Sequence, residues 1–401
     1  MKIKFTNLYK LIPQKNKINS KIISLIKKSN FIGGDEVKLF EKNFAKFVGA
    51  KNCITVGNGT DALEIAIKSL NLKKGSEIII PNNTWISTAE AVITNGHNVK
   101  FCDVNLDDYS ICLNDLKKKI NKKTKAIIVV HLYGNPANMI QLRKIIKNKK
   151  IKVIEDCAQA HGAMFKGRHV GTFGDIGCWS FCQDKIMTTA GEGGMLCTNN
   201  KKIWKKVWEL KDHGKSYDAV YSKKIKKGFR WLHESFGSNY RMTEIQAAIG
   251  RLQLKKLSSW TKKRNKYQNL IWQTANTSNG FIVPNLDDSF NKSNHIKNRS
   301  IHAAYKCYIF VDQKQLKKAW SRDKIIDRIN EQGVPCLQGS CSEIYLEKAF
   351  KKMNLQPKKR LKNAKLLGET SLTFLVHPTL TAKEIEKTCE AIKLVSREAF
   401  K

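Results

Sequence analysis

Lys152-Val153-Ile154-Glu155-Asp156 is an apolar, β-branched run that ends in two acids. Runs of the same kind recur on both sides of it, with helical stretches between them. That alternation is the pattern of an α/β domain built on a mostly parallel sheet. Seven strands are predicted, at Cys53–Val56, Glu77–Pro81, Val99–Val104, Ala126–His131, Lys152–Asp156, Cys178–Cys182 and Gly194–Thr198. Helices between them include Asp61–Leu70, Thr88–Asn95 and Asn138–Lys147. From about Arg241 the pattern changes. Met242–Leu257 reads as one long amphipathic helix, with Ile245, Ala248, Ile249 and Leu252 on a common face, and a second helix follows over Ser259–Ala275. Thr277–Ser300 is polar and Asn-rich and reads as loop. After it come a strand near Tyr305–Val311, a helix near Arg322–Gln332, a strand near Val334–Leu337 and a closing helix from Ala382 to about Glu398. The expected division is a large domain over residues 1–250, with an N-terminal helical region, and a smaller C-terminal α+β domain over 251–401.

The bulk numbers narrow the class. The 401 residues suffice for one large domain plus a smaller one with a buried core. No apolar run reaches membrane-spanning length, so no crossing of a bilayer is expected. The first residues are basic but lack a sustained apolar segment and a small-residue cleavage site, which argues against a secretory signal. The eleven cysteines show no CxxC pairs. Several of them (Cys53, Cys102, Cys178, Cys197) sit in apolar runs, where a thiol acts as a small hydrophobe. A reduced cytoplasmic setting without structural zinc or a disulfide framework follows. The net charge of +39 comes mostly from lysines spread over the whole length. No segment concentrates Arg and aromatics, so the charge reads as compositional bias and no specific nucleic-acid partner is expected. A positive surface still draws in an anionic small substrate.

The chemistry gathers around the central run. Asp156 ends its strand, and ligands of open α/β sheets bind at the carboxyl ends of the strands. Glu155 is the competing acid, but a strand neighbour points to the opposite face. Ser180 follows, then Lys185, then the turn Gly191-Glu192-Gly193-Gly194. Most lysines in so basic a chain are solvated surface groups. Lys185 differs in lying between a buried-looking strand and a glycine turn. An acid, a hydroxyl and an amine in this order match the needs of pyridoxal 5'-phosphate (PLP): the amine forms a Schiff base with the aldehyde, the acid pairs with the ring nitrogen, and the hydroxyl helps hold the phosphate. Gln159 is placed to hydrogen-bond the ring oxygen. Gly57-Asn58-Gly59-Thr60 leads from a strand into a helix, which suits a phosphate, although a plain tight turn with an N-cap has the same sequence. Trp85, after a strand end, could stack on a flat cofactor or be a core tryptophan. His161 and His213 have no metal-ligand partner at proper spacing and read as structural.

Together these residues resemble the DegT/DnrJ/EryC1/StrS family of PLP-dependent nucleotide-sugar aminotransferases. The resemblance runs over nearly the whole chain, from Asn30-Phe31-Ile32-Gly33-Gly34 and Phe40-Glu41 through Asn58–Leu63, Glu155–Gly162, Gly174–Phe181, Lys185 and Gly191–Gly194 to Asn239-Tyr240-Arg241 and His377-Pro378-Thr379-Leu380. It implies the fold type I of PLP-dependent transferases and a homodimer with shared active sites. It implies that Lys185 holds the cofactor aldehyde, Asp156 pairs with the pyridinium, Gln159 contacts the ring oxygen and Trp85 stacks on the ring. Gly59, Thr60 and Ser180 would hold the phosphate, and Asn239 would reach the neighbouring subunit's cofactor. It further implies transfer of an amino group from an amino acid, typically L-glutamate, to a nucleotide-diphosphate keto sugar used in cell-surface polysaccharide biosynthesis. Lys185 through Gly194 is similar to the branch that aminates 4-keto-6-deoxyhexoses. The alternatives are a 3-aminotransferase or a dehydratase of the same family, or a non-catalytic regulatory member. Dehydratases of the family carry histidine in place of the lysine. One departure stands out: where many members have Pro-Leu-His, this chain has Gly339-Ser340-Cys341-Ser342-Glu343-Ile344-Tyr345.

Overall fold

A computed structural model of the chain describes residues 3, 15–221, 231–286, 288–290, 299–339 and 342–401. Most of the N-terminal segment read for a leader, part of the Thr277–Ser300 loop, and Ser340 and Cys341 lie outside the described residues.

Seven strands form the main sheet: β1 (Asn52–Val56), β2 (Glu77–Pro81), β3 (Asn98–Cys102), β4 (Thr124–Val130), β5 (Lys152–Asp156), β6 (Ile176–Ser180) and β7 (Gly194–Thr198). Their order across the sheet is β1-β7-β6-β5-β4-β2-β3. From β6 to β3 all neighbours are parallel, whereas β7 runs antiparallel to both β6 and β1. The sheet is covered on both faces, which is why its strands are near-continuous Val/Ile runs. Ile54, Ile78, Ile80, Ile128 and Ile154 pack on one side against Ala62, Ile65 and Ala66 of the helix Gly59–Ser69. Ile79, Ile127, Val129 and Val153 pack on the other side against Met139, Leu142 and Ile146 of the helix Met139–Ile146. Each fully buried side chain of this kind contributes roughly 1.5–3 kcal/mol. The alternation carries through to the end of β5. Asp156 shares the face of Ile154, and Glu155 shares the face of Val153.

A second sheet follows, built of β8 (Phe281–Ile282), β9 (Cys307–Val311), β10 (Cys336–Leu337) and β11 (Ser371–Phe374), antiparallel in the order β8-β9-β11-β10. Helices Leu257–Asn276, Arg322–Glu331 and Ala382–Ala399 close its core around Ile309, Leu372, Ile325 and Ile392. The fold is thus the expected large, mostly parallel α/β sheet with a smaller α+β part.

Three local expectations are corrected. The helix read over Met242–Leu257 is shorter, Glu244–Leu254, and the second helix, read over Ser259–Ala275, is found as Leu257–Asn276. Thr243 and Gln246 form a capping box that fixes the first start, two residues later than the apolar pattern suggests. The strand read over Cys178–Cys182 stops at Ser180, because Phe181 bonds Gly193 O through its N–H and Thr189 N–H through its carbonyl. The loop read over Thr277–Ser300 contains the short strand β8 and a turn of 3-10 helix at Asp288–Phe290. Among the described residues, no helix is long and apolar enough to cross a membrane.

Candidate active site

Asp156 closes β5 and is 6% exposed. Its Oδ2 accepts a hydrogen bond from Thr88 Oγ1 at 3.0 Å and its Oδ1 accepts one from the Ala158 N–H at 3.1 Å. Thr88 is held in turn by the Thr84 hydroxyl, 2.8 Å away. Burial pushes the Asp156 carboxyl above the usual range, and the bonds from Ala158 and Thr88 only partly offset it. Glu155, on the other face, is saturated. Oε2 accepts from His131 Nε2 at 2.9 Å and from Gly171 N–H at 2.8 Å, and Oε1 accepts from Gly174 N–H. His131 Nδ1 accepts from Ala137 N–H at 3.1 Å, which assigns the ring proton to Nε2.

Ser180 ends β6, one strand over, and is buried. The helix Gly59–Ser69 starts against it. A methyl group on Gly59 would lie 2.6 Å from Ser180 Cβ, so only glycine lets the helix start come this close. Asn58 caps that helix, its Oδ1 accepting from Asp61 N–H at 2.8 Å. The donors of Gly59 and Thr60 remain in the first turn, where no intrahelical acceptor exists. Gly194, paired with Val56 across β1 and β7, fulfils the same need, since any side chain there would strike the Asn58 carbonyl.

Lys185 lies in the loop between β6 and β7, its side chain 17% exposed. Nζ pairs with Asp184 Oδ1 at 3.3 Å and stands 5.3 Å from the centre of the Tyr305 ring. Its charge acts on Asp156 and on His161. His161 is buried between Trp179 and Phe181, ring centres 5.3 and 5.6 Å away, and burial first, then Lys185, brings its pKa down to about 3. Gln159 uses its Oε1 to accept from Tyr133 N–H at 2.8 Å, which leaves Nε2 as the donor end of the amide.

Trp85 is 66% exposed, so its core reading is wrong. Asn239 is exposed, with its Oδ1 accepting from Arg241 Nε at 3.0 Å, and the adjoining Tyr240 carbonyl lies 3.9 Å from where a Cβ on Gly57 would be. Asp156, Ser180, Gly59, Thr60 and Lys185 are therefore brought to one edge of the sheet, while Trp85 and Asn239 stand at the surface. Sequence reasoning missed Thr88, Asp184 and Tyr305. Only Asp184 carried a signal, its position next to Lys185.

This donor set fits PLP. A buried carboxylate raised by burial accepts from two neutral donors and has lone pairs left for a protonated ring nitrogen. A helix start stripped of side chain at Gly59 faces a hydroxyl, as a phosphate requires.

Known proteins carry the same framework. An aminotransferase from Psychrobacter cryohalolentis superposes with a TM-score of 0.90 at 43% identity, over 99% of this chain and 98% of that one. The Escherichia coli GDP-4-keto-6-deoxy-D-mannose-3-dehydratase, solved with bound hydrated PLP, gives 0.81 at 25% identity, over 94% and 97%. The GDP-perosamine synthase of Escherichia coli O157:H7 is 37% identical over 244 residues, 61% of this chain and 64% of that protein, just under two thirds of its length. The sequence pattern of one family matches residues 13–393. The chain belongs to the DegT/DnrJ/EryC1/StrS aminotransferase family.

Proposed function

We propose that the protein is a PLP-dependent aminotransferase that moves an amino group from an amino acid, L-glutamate, to a nucleotide-diphosphate-linked 4-keto-6-deoxyhexose. It would act as a cytoplasmic homodimer in the supply of amino sugars for cell-surface polysaccharide. The observation that carries this reading is a buried Asp156, bonded by two neutral donors, at the same sheet edge as Lys185, whose charge acts on it.

PLP, when bound, supplies the electron sink that lets the bond to hydrogen at the donor's α-carbon break. The chain's own residues would do the rest. Asp156 keeps the ring nitrogen protonated, since an opposite charge favours the charged form. Ser180, Gly59 and Thr60 fix the phosphate, the Gln159 amide meets the ring oxygen and Trp85 covers the ring. Asn239 would serve the partner's site. Lys185 holds the cofactor at rest and, once displaced, moves a proton at the donor's α-carbon and later at the sugar carbon. A lysine, rather than a histidine, at position 185 supports transamination over dehydration.

Two measurements test the reading. Borohydride treatment of the PLP-loaded protein should fix the cofactor to Lys185, read by peptide mass spectrometry. A panel of dTDP-, UDP- and GDP-linked keto sugars offered with L-glutamate should yield 2-oxoglutarate and one 4-amino sugar. A colourless protein with no adduct overturns the chemistry. A 3-amino product overturns only the choice of carbon.

A further inference from the structure

Lys185 has a close neighbour to which the reaction just described gives no task. Both oxygens of Asp184 face Lys185 Nζ, Oδ1 at 3.3 Å and Oδ2 at 3.4 Å. Oδ2 also accepts a hydrogen bond from the Tyr305 hydroxyl. Tyr305 comes from the segment that enters β9 and is itself pinned. Its N–H donates to Tyr133 O at 3.0 Å, and its carbonyl accepts from Arg264 Nη1 at 3.3 Å. Tyr133 in turn is bonded by Gln159. One connected chain therefore runs from Gln159 through Tyr133, Tyr305 and Asp184 to Lys185. It ties the edge of the large sheet to the entry of the small one.

The charges around this pair are few. Lys306 and Arg264 are the cations acting from the Tyr305 side, and Lys306 is brought down to about 8, by burial first. Asp156 and His161 act from the sheet side. Cys182 lies beside Asp184 and bonds Glu192 across the glycine turn. Burial works to raise the Asp184 carboxyl, but Lys185 and the Tyr305 hydroxyl outweigh it and hold the carboxyl below its ordinary range.

We propose that Asp184, fixed by the Tyr305 hydroxyl, is a positioning residue that docks the Lys185 ammonium whenever that amine is not covalently engaged. The proposal rests on Lys185 being the amine that holds the cofactor. A lysine on a four-carbon stem is otherwise free to sample many rotamers. Each half of the reaction displaces the amine and needs it back at one place. A carboxylate within about 4 Å supplies that place.

The test uses Asp184→Asn, Tyr305→Phe and Asp184→Glu. Borohydride trapping first locates the adduct in the wild-type protein. Lys185 of the PLP-free protein is then acylated with acetic anhydride over a range of pH and followed by mass spectrometry. In parallel, the visible absorbance of each PLP-loaded protein is titrated. Loss of the carboxylate frees the amine from its dock, so Asp184→Asn should react about tenfold faster at fixed pH. The absorbance midpoint of its PLP-loaded form should fall, since a positive charge there loses a neighbouring carboxylate. Tyr305→Phe should move both readings the same way by less, and Asp184→Glu should restore most of the wild-type profile. Wild-type profiles in both the Asn and Phe variants overturn the proposal while leaving the adduct at Lys185 intact. An adduct at another residue overturns the functional reading first, and this one with it. Should Asp184→Asn fail to fold by circular dichroism, Tyr305→Phe decides alone.

Discussion

The two sides of β5 end in neighbouring acids that the fold treats in opposite ways. Glu155 is fully buried and meets a donor at each turn: His131 Nε2, Gly171 N–H and Gly174 N–H. Asp156 is nearly as buried, and its hydrogen-bond donors among the described residues are Thr88 and Ala158, both neutral. A buried carboxylate is tolerated when its lone pairs are used and costly when they are not. Glu155 is thus part of the framework, joining β5 to the loop over Gly171–Gly174 and to the turn after β4. Asp156 is a charge kept in an unfavourable place, and such groups cluster where chemistry is done.

The largest effect should come from the second of these acids. Asp156→Asn keeps the shape and removes the charge. Turnover should fall on the order of 10³-fold, in the range that positioned proton-handling groups supply. The cofactor-free protein should be at least as stable as the wild type near neutral pH, because burial opposes this charge. Steady-state kinetics and urea unfolding read the two halves, and a variant within tenfold of wild-type turnover would remove Asp156 from the chemistry.

The mirror experiment is Glu155→Ala. It strands His131 and two buried N–H groups, and should cost roughly 2–5 kcal/mol of stability. Any fall in turnover should then follow the fraction folded, measured by urea unfolding alongside activity. If the unfolding midpoint does not move, the two acids do not differ as described.

How much of this contrast could be read in the sequence depends on the range of the interactions. Alternation along β5 is local, so the opposite facing of Glu155 and Asp156 was legible, as were Ser180 and the Gly59 turn. Ends of elements were less so. Where β6 stops is set by Phe181 bonding to Gly193 and Thr189, and the helix Glu244–Leu254 ends short of the Leu257 that the apolar pattern reaches, neither of which that pattern encodes. The donors to Asp156 and the Tyr305–Asp184 bond were not legible at all. Thr88 lies 68 residues from Asp156 and Tyr305 lies 121 from Asp184 along the chain, so only the packed sheet brings them together. Trp85 is open between core and cofactor in the sequence, and the fold, which leaves it at the surface, excludes the core.

The Asp156 side also predicts a pH dependence. His161, which feels the Lys185 charge, has its pKa lowered from 6.5 to about 3, by burial first. Unfolding therefore takes up a proton between those values, and stability is lost as pH falls from about 6.5 toward 3. Asp156 shifts the other way: its raised folded pKa makes its charge a burden at neutral pH, relieved as acid protonates it. His161→Phe keeps a ring between Trp179 and Phe181 and should lower the proton uptake on unfolding by about one. Urea unfolding at pH 7 and pH 4.5 measures it, and an unchanged difference between the two would mean that His161 is already charged in the folded protein.

The smallest effect sharpens the contrast most. Thr88→Val removes one of the two donors to Asp156 and changes almost no volume. A neutral hydrogen bond of this kind contributes about 1 kcal/mol. Asp156 should rise further above the usual carboxylate range, since the Thr88 bond works to lower it. With the ring nitrogen as its main remaining partner, the carboxylate should hold its charge less well. Turnover should drop by roughly fivefold to tenfold at pH 7, with partial recovery as pH is raised, because the raised carboxyl regains its charge there. The same loss at every pH would instead mean that Thr88 acts by packing, and that Asp156 draws its position from Ala158 alone.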